Sequence, residues 1–139
     1  MPKSITATEH EIQQAIIDLI KARGGVVTRV NSGSAVFKRD GVTQVIKGAE
    51  KGTSDLICCY RGVYLAIEVK RAGKKATPEQ IAFLESVAKA GGVGLVAYDS
   101  EFVESILNEI DTCHTHSSAI CGIRHNIMQT YDNRLFVKG

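Results

Sequence analysis

The sequence predicts an α/β fold in which a mixed central β-sheet is flanked by helices. Three observations predict it. Helix signals occur near the N-terminus, after residue 77 and after residue 100. Strand-like segments rich in β-branched residues fill the region between the first two helices. One further strand-like segment, Val93–Tyr98, separates the last two helices, which gives the element order α-β-β-β-β-β-α-β-α.

Length and composition indicate one globular domain. The chain has 139 residues, of which 44% are hydrophobic, enough for a real core. No apolar run approaches the roughly 18 residues of a membrane span. Because residues 1–6 lack an apolar signal core, we expect a cytoplasmic protein, or one in the host-cell cytoplasm if it is viral. The four cysteines, at positions 58, 59, 113 and 121, are interpreted as reduced thiols, since adjacent Cys58 and Cys59 point to opposite faces of a strand.

The first helix is predicted over Ala7–Ala22, where Ile12, Ile16 and Leu19 recur at helical spacing before Gly24-Gly25. It carries two acidic residues with different expected roles. Glu11 is three residues after Thr8, which predicts a capping box. Glu9 lies on the apolar stripe and is the candidate for a functional role, although the same spacing from Thr6 would also allow a cap.

The next segments predict a strand, a hairpin and a loop. The strand is Val26–Val30, and the hairpin pairs Ala35–Phe37 with Val42–Ile46 around residues 39–41. A loop bearing glycine and lysine then runs from Lys47 to Ser54.

A second hairpin carries the most informative residues. Asp55–Tyr60 and Val63–Lys70 read as strands joined by Arg61-Gly62. If the loop is centred on these two residues, Asp55 faces Glu68 across the strands, and Lys70 lies on the same side as Glu68. Two facing carboxylates repel each other but suit a hard divalent cation. A lopsided loop would break this pairing.

The second half continues with a strong helix start. Thr77 is the expected cap, Pro78 occupies the first helical position and Gln80 closes a capping box. This helix is expected to end near Ala90 and a third helix to cover Ser100–Ile110. Residues 1–110 are therefore interpreted as the functional domain and residues 111–139 as a tail of uncertain structure, in which 134–137 is a candidate short strand.

The charge distribution indicates a polyanionic partner. From Lys21 to Lys75 there are twelve Lys and Arg residues against four Asp and Glu. The carboxylate pair lies inside this basic region, which suggests a polyanionic substrate, and a solvated surface with scattered lysines is the alternative.

These residues together resemble the VRR-NUC family of the PD-(D/E)xK nuclease superfamily, from Thr8 to Tyr98. The resemblance rests on Glu9, Arg29-Val30-Asn31-Ser32-Gly33, Lys51-Gly52-Thr53-Ser54-Asp55, Glu68-Val69-Lys70 and Thr77-Pro78-Glu79-Gln80. It implies a restriction-endonuclease-like fold and metal-dependent DNA cleavage. Gly-Thr-Ser-Asp replaces the superfamily's Pro-Asp, as is common in VRR-NUC members.

The resemblance also implies roles for individual residues. Asp55, Glu68 and the carbonyl of Val69 would ligate Mg²⁺ or Mn²⁺, and Glu9 would hold a second ion or an outer water. Lys70 would position the attacking water or stabilise charge on phosphorus, with Gln80 as its support or only a helix cap. Basic and polar residues are expected to contact phosphates: Arg29, Asn31, Lys47, Lys51, Arg71, Lys74 and Lys75.

Stand-alone relatives imply a homodimer acting on branched DNA such as four-way (Holliday) junctions, with the 35–46 hairpin or the tail as the interface. Flap- or nick-directed cleavage is the alternative. Two further alternatives stay open from the residues themselves. Cys113, His114, His116, Cys121 and His125 contain enough ligands for zinc, and a fold of this kind can bind DNA without cutting it.

Overall fold

The protein is described from a computed structural model, in which residues 6–115 and 134–137 are described. Three helices and seven strands lie within these residues. In chain order they are α1 (Glu9–Ala22), β1 (Val26–Arg29), β2 (Ser34–Arg39), β3 (Val42–Lys47), β4 (Leu56–Tyr60), β5 (Val63–Val69), α2 (Pro78–Lys89), β6 (Val93–Ala97), α3 (Ser100–Thr115) and β7 (Leu135–Val137).

The central sheet has five strands in the order β1-β4-β5-β6-β7. Strands β5 and β6 are parallel, because α2 crosses over between them, and the other neighbours are antiparallel. The predicted mixed α/β sheet flanked by helices is therefore confirmed.

Helices cover the two faces of this sheet unequally. Helices α1 and α3 cover one face and form the larger core, which includes Ile16, Leu65 and Ile106. On the other face, α2 packs over β5 and β6 through Leu84, Ala66 and Val96. Gly94 permits this approach, since an added Cβ would lie 2.8 Å from the carbonyl oxygen of Leu84. Alternation along β5 places Glu68 on the α2 face together with Ala66.

The β2–β3 hairpin forms a separate two-stranded sheet. All of its strand residues are exposed. Its turn is Asp40-Gly41, whose φ angles of 52° and 77° fit a tight two-residue hairpin turn. The hairpin thus projects from the domain and does not contribute to its core.

Two expectations about the end of the chain are refined. Helix α3 continues to Thr115, beyond the expected end at Ile110. The short strand expected at 134–137 is confirmed as β7, which pairs with β6 at the sheet edge. Residues 111–115 and 135–137 therefore belong to the same layers as the rest of the domain. Among the described residues, no helix is long and apolar enough to cross a membrane.

Candidate active site

The β4–β5 hairpin has the register that the sequence predicts. Tyr60 pairs with Val63, and the ladder continues to Leu56 and Ile67. Arg61 and Gly62 adopt φ angles of 50° and 76°, so both central residues of the turn are left-handed, as a two-residue type I′ turn requires. The expected centred loop is therefore present, although its first position is an arginine.

Asp55 lies one residue beyond the last pair of this ladder. Its Oδ2 accepts a hydrogen bond of 2.8 Å from the backbone N–H of Val69. Its own carbonyl accepts a hydrogen bond of 2.9 Å from Val30 N–H. The Asp55 carboxylate is thus held between β1 and the end of β5, beside Glu68.

Glu68 is the buried centre of the site, with 1% of its surface exposed. Its Oε1 accepts a hydrogen bond of 2.6 Å from Gln80 Nε2 and lies 3.0 Å from Lys70 Nζ. Its Oε2 is buried and has no hydrogen-bond partner within the described part of the chain. Burial, followed by the negative charge of Asp55, raises the pKa of Glu68 to about 7. A buried carboxylate oxygen without a partner is destabilising, which indicates a position arranged for a ligand.

Lys70 supplies a cation at this centre. Its side chain is 14% exposed. Burial pulls the pKa of Lys70 down, but the hydrogen bond and charge of Glu68, with the charges of Glu9 and Asp55, outweigh burial and hold the pKa above its ordinary value. The residue is therefore an ammonium, suited to stabilising negative charge and not to abstracting a proton.

Gln80 completes the predicted helix cap and also contacts the site, through Glu68 instead of the expected Lys70. Its Oε1 accepts a hydrogen bond of 2.8 Å from Thr77 N–H, which completes the capping box of α2. Its Nε2 is then directed at Glu68. The helix cap thus orients the amide, and the amide contacts Glu68 Oε1, the same atom that Lys70 contacts.

The predicted capping box of Thr8 with Glu11 is confirmed. Glu9 is the first residue of the helix. Glu9 is half-buried, and its Oε1 lies 3.4 Å from the backbone nitrogen of Arg71, which donates to it. It borders a cleft of about 260 Å³ together with Thr8, Arg71 and Lys74.

The residues expected to bind phosphates have different surroundings in the structure. Arg71 and Lys74 border the cleft at Glu9, whereas Lys51 is paired with Glu79 at 3.0 Å. Arg29 donates to Gln14 on α1 at 3.0 Å. The other candidates are exposed: Asn31 follows β1, Lys47 ends β3 and Lys75 lies in the loop before α2.

Two contributors to the site were not assigned a role from the sequence. Gly52 has a φ of 90°, and an added Cβ would lie 2.6 Å from the carbonyl oxygen of Glu79, so glycine lets the loop before Asp55 approach the start of α2. Ser54 is buried and donates through Oγ to the carbonyl of Leu56. The positive φ of Gly52 has no sequence signal beyond the glycine itself.

The donor set fits a hard divalent cation of the Mg²⁺ or Mn²⁺ type. Carboxylate oxygens are the ligands such ions prefer, and Glu68 Oε2 is free to accept one. Within residues 6–115 and 134–137 no group of three or more His, Cys, Asp or Glu side chains could hold a metal. Within these residues, Asp55 and Glu68 therefore have no third carboxylate beside them.

The predictions about reduced cysteines and a zinc site concern residues that the structure describes only in part. Cys58, Cys59 and Cys113 are free thiols, and burial raises the pKa of Cys58 to about 12. Of the other residues named for a zinc site, His114 lies in α3 with its side chain outside the described part, and His116, Cys121 and His125 lie outside the described residues.

Comparison with solved structures identifies the fold. A structure described as a VRR_NUC domain matches with a TM-score of 0.52 and 24% identity, covering 73% of this chain and 97% of that one. The chain therefore has the fold of a VRR-NUC domain, as the restriction-endonuclease-like expectation stated. Neither the family models nor the curated proteins give a match to this sequence.

Proposed function

We propose that this chain is a metal-dependent DNA endonuclease of the VRR-NUC family. The observation that carries the proposal is the buried Glu68 carboxylate, which meets Lys70 and Gln80 through one oxygen and leaves the other without a partner. Asp55 lies beside it and raises its pKa. A fold shared with a VRR_NUC domain supports the same assignment.

The residues have distinct roles in phosphodiester hydrolysis. Asp55, Glu68 and the carbonyl of Val69 would hold Mg²⁺ or Mn²⁺, which when bound supplies Lewis-acid activation of a phosphate oxygen and of water. Lys70, as an ammonium, stabilises negative charge that develops on the phosphate. Gln80 fixes the orientation of Glu68. Glu9 is separate from the pair and acts through an outer water.

The cleavage assay uses purified protein with labelled four-way junction, flap, nicked and linear duplex DNA. We expect cleavage with Mg²⁺ or Mn²⁺, none with chelator, and the fastest cutting on the four-way junction. Cleavage that persists in chelator would overturn the metal assignment. Preference for flaps or nicks would select the alternative substrate class with the same residues, and binding without cleavage in either metal would select the non-catalytic alternative.

The branched substrate is proposed together with a homodimer. In the described part of the chain, two groups of exposed large apolar side chains suit such an interface. One is the side of the β2–β3 hairpin that carries Phe37, Val42 and Ile46, opposite Val36 and Val45, and the other joins Val26 to Tyr64 across Cys59. If two copies associate about a two-fold axis, the hairpin patch of each would pack on the Val26–Tyr64 patch of the other, so that both are covered. The two active sites would then face opposed strands of the DNA.

Light scattering tests the dimer. We expect the double variant Phe37→Ser with Ile46→Ser to shift the protein towards monomer. Substitutions at Leu19 or at other core positions are unsuitable, because they would damage the fold. A monomeric wild type at working concentration that still cuts both strands of a junction would overturn the dimer. Deleting the tail is a poor test, because the tail contributes β7 to the sheet.

A further inference from the structure

The β2–β3 hairpin divides its side chains into two chemically different faces. The strands pair Lys38 with Thr43, Val36 with Val45, and Ser34 with Lys47. Alternation puts these six residues on one side, here called the basic face. The other side, the apolar face, consists of Ala35, Phe37, Arg39, Val42, Gln44 and Ile46.

We propose that the basic face binds the sugar-phosphate backbone of duplex DNA. This inference rests on the proposed function, and it assigns a DNA contact to Lys38 that the sequence motifs do not indicate. The hairpin would act as a two-stranded ribbon laid against the duplex, which the major groove is wide enough to admit.

The arrangement of donors on the basic face suits phosphates. Each lysine lies directly across the strands from a hydroxyl residue, Lys38 from Thr43 and Lys47 from Ser34. Ammonium and hydroxyl groups are both common donors to phosphate oxygens. Neither lysine forms an ion pair within residues 6–115 and 134–137. Both cations are thus available to an external anion.

The spacing of the two lysine–hydroxyl pairs also matches duplex DNA. The pairs are separated along the strands by four residues, or about 13 Å at roughly 3.3 Å per residue. The major groove is about 12 Å wide between its backbones. The Val36–Val45 pair lies between them and needs no polar partner.

The base of the hairpin is fastened next to the active site. Gly48 N–H donates to the carbonyl of Gly33 and Ala49 N–H to that of Asn31, while Val30 N–H donates to that of Asp55. Gly48 is tightly enclosed, since an added Cβ would collide with the Asn31 carbonyl oxygen. A duplex held on the basic face is therefore bound by a segment whose base lies next to Asp55.

The experiment compares two adjacent residues on opposite faces, Lys38→Gln and Arg39→Gln. Both substitutions remove one positive charge from the same strand. Binding to labelled duplex is measured in chelator over a range of salt concentrations, and each variant's melting temperature confirms folding. We expect K38Q to bind more weakly and to make the slope of log K against log[salt] shallower by about 0.9. R39Q should keep the wild-type slope.

The double variant Lys38→Gln with Lys47→Gln should make the slope shallower by about 1.8. Its matched control is Lys21→Gln with Lys89→Gln, which removes the same charge from the far ends of α1 and α2. Equal slopes for K38Q, R39Q and wild type would overturn the basic-face contact. So would equal changes in the double variant and its control, because only general charge would then matter.

Failure of this inference can be told apart from failure of the proposed function. If wild-type protein neither binds nor cuts any DNA, the proposed function itself is wrong, and the basic-face contact with it. If wild type binds and cuts but K38Q behaves as wild type, only the basic-face contact is wrong.

Discussion

Two carboxylates at opposite ends of the β4–β5 hairpin show how differently one domain can surround a carboxylate. Asp111, on α3, accepts hydrogen bonds from Tyr60, Arg23 and Arg61 at 2.8 to 3.1 Å. Burial acts to raise its pKa, but these hydrogen bonds outweigh burial and hold the pKa below its ordinary value. Glu68, at the other end, keeps an oxygen without a partner and has a raised pKa.

This difference distinguishes a carboxylate that stabilises the fold from one whose surroundings favour binding a cation. Two guanidinium groups and a phenol satisfy Asp111, and both arginines also lie over the Tyr60 ring at 5.7 to 5.9 Å. These contacts of Asp111 connect α1, β4 and α3 at the turn end of the hairpin. Glu68 instead lies beside the like charge of Asp55, an arrangement that is unfavourable until a cation is bound. Removing each carboxylate should therefore have opposite consequences.

The largest expected effect is on activity. Glu68→Gln and Asp55→Asn should each lower the cleavage rate about a thousandfold or more, or about 4 kcal/mol, because each removes a charged ligand of the proposed metal site. Both variants should bind DNA at least as well as wild type, since less negative charge faces the phosphates. A variant of either kind that cuts normally would show that the site lies elsewhere.

The second effect concerns stability and pH in the absence of divalent metal. Because the folded pKa of Glu68 is about 7 against an ordinary value of 4.5, the folded protein binds more protons than the unfolded chain between these values. Stability should therefore fall as pH rises from about 4.5 to 7, by up to about 3 kcal/mol.

Chemical denaturation at a series of pH values measures this loss, with Glu68→Gln as the matched variant. In that variant the loss between pH 4.5 and 7 should disappear, and saturating Mg²⁺ should reduce it in wild type. An identical pH dependence in wild type and variant would assign the titration to another group.

The third expected effect concerns the contribution of Asp111 to stability. Asp111→Asn should lower the free energy of unfolding by about 1 to 2 kcal/mol, since it weakens charge-assisted hydrogen bonds that are partly exposed to solvent. The pKa of Asp111 is lowered, so its contribution is present above pH 3.8 and lost as pH falls below it.

Cleavage by Asp111→Asn at a temperature where it is folded should match wild type. Asp18→Asn is the control, because Asp18 is an exposed acid with one neutral partner, Gln14. A loss of cleavage in folded Asp111→Asn would mean that the two ends of the hairpin are coupled.

The smallest expected effect distinguishes Glu9 from Glu11, two acidic residues of α1. Glu9→Gln should reduce cleavage about tenfold, or about 1.4 kcal/mol, with little change in melting temperature. Glu11→Gln should leave cleavage unchanged, and Gln can still partner Thr8 in the cap. Equal activities would show that the Glu9 side of the cleft takes no part in the reaction.

The sequence determined the features that depend on neighbouring residues. The two capping boxes, Thr8 with Glu11 and Thr77 with Gln80, were predictable because capping acts over three residues. The β4–β5 register was predictable from one turn, since a two-residue loop sets every following pair. For the same reason, Asp55 and Glu68 could be placed together without a structure.

The tertiary structure decided the features that join distant segments. The sequence does not show that the Gln80 amide points at Glu68, that Arg71 meets Glu9, or that Asp111 joins two arginines. Nor does it show that the β2–β3 hairpin stays outside the sheet while β7 enters it. These outcomes depend on how helices and strands pack, because burial and long-range pairing act between residues that no local pattern connects.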